Sequence, residues 1–63
     1  MTVLVIYTDK VEETLTFFQG MGLVFVEEKH GDGPTHYASQ NDDNVFEIYP
    51  TAIGDSRVRF INQ

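Results

Sequence analysis

Val3-Leu4-Val5-Ile6-Tyr7 is an unbroken run of aliphatic, mostly β-branched side chains ending in an aromatic one, the pattern of a strand buried on both faces. The periodicity then changes. Val11, Leu15 and Phe18 recur at helical spacing, with Phe17 widening the stripe, which predicts an amphipathic helix with one face to bury. Thr8 or Asp9 is placed to cap its free amides, and Glu12 and Glu13 put negative charge in the first turn, where the helix dipole favours it. Gly20 and Gly22 supply the permissive backbone that ends the helix. Leu23 to Glu28 reads as a second strand, the Gly-rich stretch from Lys29 to Pro34 as a loop, and about Thr35 to Gln40 as a third strand. Asn41-Asp42-Asp43-Asn44 is the next turn, Val45 to Tyr49 a fourth strand closed by Pro50, and Thr51 to Ser56 a linker to a short fifth strand at Arg57 to Ile61. There is no room for a second helix. The expected class is α+β: one βαβββ module with a mixed sheet, one helix on one face and a short extra strand, in a single domain over residues 1–63 with its core in 2–50.

Turn positions set an expected register. With the later turn centred between Asp42 and Asp43, Gln40 opposes Val45, Ala38 opposes Glu47 and His36 opposes Tyr49. With the earlier turn centred near Gly31 and Asp32, His36 also opposes Glu27. One face then carries Phe25, Glu27, His36, Ala38, Gln40, Val45, Glu47 and Tyr49, and Leu4 and Ile6 are assigned to it as well. The helix covers the other face, with Val24, Val26, Tyr37, Ser39, Phe46 and Ile48.

Composition narrows the function classes. Ten acidic residues against four basic ones give a net charge of -6, which repels a nucleic-acid backbone or an anionic membrane. The longest apolar run is far too short to span a bilayer and no secretory leader pattern opens the chain, so a cytoplasmic location is expected. Cysteine is absent, so no disulfide reinforces a chain of this size. No Gly-x-Ser-x-Gly elbow is present, and neither Gly20-Met21-Gly22 nor Gly31-Asp32-Gly33 follows a strand and opens a helix as a phosphate loop does.

Glu27, His36 and Glu47 are the polar constellation with chemical potential, because the expected register sets them on one uncovered face with Tyr49 beside them. Two carboxylates flanking an imidazole suit a divalent cation or a tuned general base. Charged side chains on an open strand face also simply meet water. His30 reads as a solvated turn residue with no recognised metal spacing.

Asp9, Phe17-Phe18, Met21-Gly22-Leu23, Glu27-Glu28, His30-Gly31, Gly33-Pro34, His36-Tyr37-Ala38 and Phe46-Glu47-Ile48-Tyr49-Pro50 together resemble one module of the glyoxalase, bleomycin-resistance and extradiol-dioxygenase superfamily, the vicinal oxygen chelate fold. Members of that family build each binding cup from two modules, and this chain carries one, so the resemblance implies a homodimer. It also implies a small organic ligand, for which the expected register offers Glu27, His36, Glu47 and Tyr49 as binding residues, while the net charge sets nucleic acid and membrane partners aside. In metal-dependent members a ligand in the last strand matches Glu47, whereas the first-strand ligand position falls at Thr2, a poor donor, and the Arg57-Val58-Arg59-Phe60 region offers none. The reading that follows is a small-molecule-binding protein without a complete metal site or cofactor. The alternatives are a metal-dependent lyase or dioxygenase using Glu47, or a half-length module with no retained activity.

Overall fold

The computed structural model describes residues 1–62. It has the order β1 (Thr2–Thr8), α1 (Val11–Gly20), β2 (Val26–Glu28), β3 (His36–Asn41), β4 (Asn44–Pro50) and β5 (Arg57–Asn62). The strands form one mixed sheet in the order β2-β3-β4-β1-β5, with β1 parallel to β4 and the other neighbours antiparallel. The class is therefore α+β, one helix against a five-stranded sheet.

Half-buried Val11, Leu15 and Phe18 form the helix's apolar stripe. The Phe18 ring meets Phe46 at 6.2 Å and Phe25 at 6.5 Å, which identifies the covered face as the one carrying Phe46, Ile48, Leu4 and Ile6. Ile48, at its centre, is fully enclosed. Phe17 does not widen the stripe; it is 64% exposed and meets only the edge of Phe18 among aromatic rings. The start of the helix also differs from expectation. Thr8 Oγ1 accepts from the Lys10 amide at 3.0 Å and Asp9 accepts from the Ser56 hydroxyl, so neither caps a helical amide. Lys10 itself holds the cap position without a side-chain bond.

The β3–β4 register is the expected one, with Ala38 opposite Glu47 and Gln40 opposite Val45. β2 is shifted by one residue: Glu28 opposes His36, Glu27 opposes Tyr37 and Val26 opposes Ala38. The turn itself lies where expected, closed by the Gly33 amide donating to the His30 carbonyl at 3.0 Å. Its flanks are unequal, however. Lys29 alone leads in from Glu28, whereas Pro34 and Thr35 lead out to His36. Because side chains alternate with period two, this single extra residue turns the whole of β2 over.

Three expectations are corrected, the first two as a result of this shift and the third by the register of β1 with β4. Glu27 lies on the helix side, where its carboxylate accepts from the Tyr37 hydroxyl at 3.3 Å, away from His36 and Glu47. Phe25 packs toward the helix. Leu4 and Ile6 also face the helix, and the open side receives Val3, Val5 and Tyr7 instead, level with Val45, Glu47 and Tyr49.

Candidate functional site

The open side of the sheet follows from register. Across β4, β1 and β5 the rows read Val45–Val3–Ile61, Glu47–Val5–Arg59 and Tyr49–Tyr7–Arg57. Val5 is 5% exposed although no helix covers it, because it lies between the longer side chains of Glu47 and Arg59. On the β2 side the surface sinks into an open groove of about 510 Å³, lined by Val24, Val26, Glu28, Ala38, Gln40, Val45 and Glu47. Its floor is aliphatic, and its polar groups are two carboxylates and one amide, the mixture usual in small-ligand sites.

One row binds the face together from edge to edge. The His36 ring lies flat against Tyr49, with centroids 4.2 Å apart and planes 9° from parallel. Tyr49 meets Tyr7 at 5.6 Å, and the Arg57 guanidinium sits 4.2 Å above the centre of the Tyr7 ring. At the other end, His30 stacks on His36 at 5.2 Å and the Glu28 carboxylate approaches His36 Nε2 at 3.3 Å. The ladder exists because these residues are cross-strand neighbours on one face, where aromatic pairs stabilise a sheet. Burial, followed by the negative charge of Glu47 and then by Tyr7 and Glu28, raises the Tyr49 phenol above 10.0, so it enters the ladder as a neutral group.

Among the expected site residues, His36, Glu47 and Tyr49 do share the open face, and Tyr49 is joined there by Tyr7. Glu27 does not share it; the carboxylate beside His36 is Glu28. His30 is not a bystander of the turn, since its ring reaches the same cluster. The sequence signal for this set is the Glu28-x-His30 alternation at the end of β2, which an extended chain points to one side.

The cross-strand neighbours of Glu47 are Ala38 and Val5, neither a metal ligand. Thr2 lies on the helix-side face with Asn44 and Asn62. The residues around Glu47 therefore do not fit a metal ion held in the superfamily manner. No known protein family, curated protein or solved structure matches the chain.

Proposed function

We propose that this protein binds a small organic molecule on the open face of its sheet, in a homodimer related in architecture to the bleomycin-resistance branch of the glyoxalase and dioxygenase superfamily. The observation that carries the reading is the groove beside Glu47, whose aliphatic floor of Val26, Ala38 and Val45 is flanked by Glu28, Gln40 and Glu47. An apolar surface with few polar groups orients a ligand by hydrogen bonds and derives affinity from desolvation. With Arg59 level with Glu47 and two strands away, roughly 10 Å by strand spacing, the face offers both signs of charge to a polar ligand. The polar groups offered to the ligand are Glu28, Gln40 and Glu47, and Glu27 is not among them.

A second copy would extend the sheet at one of its edges. β1 is interior to the sheet, so it does not form the seam; the free edges are β2 and β5. On β5, Val58 and Phe60 are 64% and 65% exposed, because the helix does not extend over them. Pairing along this edge would bury them, in the cytoplasmic setting that the cysteine-free, acidic composition suits.

The test is an NMR titration with bleomycin and with a panel of smaller aromatic and polar organic compounds. Saturable shifts centred on Val26, Ala38, Val45 and Glu47, with Leu4 and Ile6 unmoved, are the expected result. Absence of saturable binding across the panel, or shifts confined to the helix, overturns the reading.

A further inference from the structure

We propose that Glu28, His30 and His36 form a binding site for a divalent transition-metal ion of the zinc type, through two imidazole nitrogens and one carboxylate oxygen. The site lies at the β2–β3 end of the sheet, separate from the superfamily position at Glu47, and the proposal does not depend on the ligand-binding reading above.

The geometry comes from the register. Glu28 closes β2 and faces His36 across the strand pair, and His30, two residues beyond Glu28, returns to the same side. One potential ligand atom from each of the three lies within 4.8 Å of the others. Ligand bonds of about 2.0–2.1 Å at a tetrahedral ion put two donor atoms roughly 3.3 Å apart. Glu28 Oε1 and His36 Nε2 already stand at 3.3 Å, and His30 Nε2 lies 4.0 Å from the same oxygen. The remaining closure falls to His30, which is 79% exposed on a turn and can move at little cost.

An independent observation is the state of the His36 ring. It is 2% exposed, and its Nδ1 lies 3.3 Å from the Pro34 carbonyl. A carbonyl only accepts, so Nδ1 carries the hydrogen, as in metal-binding histidines whose far nitrogen is tied to a backbone oxygen. Nε2 is then the free position. It is buried and has no hydrogen-bond partner, because the Glu28 oxygen nearby is not in donor–acceptor alignment. A buried nitrogen without a partner is costly. With the ring neutral, an imidazole lone pair facing a carboxylate oxygen at this distance is repulsive until a cation, either a proton or a metal ion, lies between them. Tyr49 stacks flat on the ring, which is 2% exposed, so its lone pair does not swing out to water.

Donor type sets the class of ion. Two nitrogens and one oxygen suit zinc, nickel, copper or cobalt, whereas calcium and magnesium require shells built mostly of oxygen. Three protein ligands leave one tetrahedral position open to water or to a donor atom of a bound molecule.

The experiment uses the tag-free chain, stripped with a chelator and titrated calorimetrically with zinc. One ion per chain is expected, with a rise in melting temperature and a shift of the His36 Nε2 nitrogen resonance. His30→Ala and Glu28→Gln, both at surface-accessible positions that spare the buried ring, should each weaken uptake at least about tenfold while circular dichroism stays unchanged. No saturable uptake by the parent chain, or uptake that survives both substitutions, overturns the proposal. So does uptake abolished by Glu47→Gln and indifferent to His30→Ala, which would locate the ion at the superfamily position.

Discussion

Tyr37 and Glu27 meet on the helix-side face only because β2 is shifted by one residue, and their contact leaves a signature in pH. Partial burial, then the hydrogen bond and charge of Glu27, with Glu12 behind, raise the Tyr37 phenol above 10.0. Tyr49 is raised as well, by burial first and the Glu47 charge second. In the unfolded chain both phenols ionise near 10. Above that pH the native state binds more protons than the unfolded one, so stability falls. The contribution is complete below pH 10 and is lost as the pH rises through the raised native values. Glu27→Gln should bring Tyr37 ionisation back toward 10 in an absorbance titration, with ring resonances separating it from an unaltered Tyr49. A Tyr37 that titrates identically in both proteins would refute the assigned pair.

At the scale of elements, the end of α1 is its best-determined part. The Leu23 amide donates to the Phe18 carbonyl at 3.2 Å and the Gly22 amide to Gln19 at 3.0 Å, with Gly22 at φ 98°. This is a Schellman closure, with Gly22 in the left-handed position that it requires. A side chain at Gly22 would meet no atom within 4 Å, so Gly22→Ala should cost about 1 kcal/mol through backbone strain alone. Gly20 is the last helical residue, with open space around it, and Gly20→Ala should add up to roughly 0.5–1 kcal/mol. Opposite shifts of the urea midpoint test both. Two changes of the same sign would show that the cap is misplaced. The glycine that ends the helix was legible because backbone chirality is a local matter. Its start was not, because Thr8 and Asp9 spend their side chains on Lys10 and on Ser56, and Ser56 is far along the chain.

For the molecule as a whole, the buried apolar side chains among the described residues are Val5 and Ile48, a thin core for a chain with no disulfide. Phe17, Val24, Val26, Val58 and Phe60 are all more than half exposed. A standard interface covers about 800 Å² per partner, roughly a fifth of the 4487 Å² surface, and would offset this deficit. Light scattering should give twice the 7.2 kDa chain mass. Phe60→Glu should shift that dimer toward monomer, since it removes an apolar contact and sets a charge at the β5 edge. Each chain carries a charge of -6, so added salt should tighten association by screening repulsion. A monodisperse monomer with cooperative unfolding at micromolar concentration would contradict the dimer, as would a dimer indifferent to Phe60→Glu for pairing through β5.

Local patterning determined the element order, the helix stripe of Val11, Leu15 and Phe18, the glycine stop and the pairing of β3 with β4. Each depends on a repeat or a tight turn contained within a few residues. It also brought His36, Glu47 and Tyr49 to one face. Tertiary structure decided which carboxylate joins them. The loop from Lys29 to Thr35 has one more residue on its outgoing side, and the pleat converts that difference into Glu28 for Glu27. It likewise decided which face of β1 the helix covers. Both faces of Val3 to Tyr7 are apolar, so hydrophobicity alone does not distinguish them, and the parallel register with β4 does.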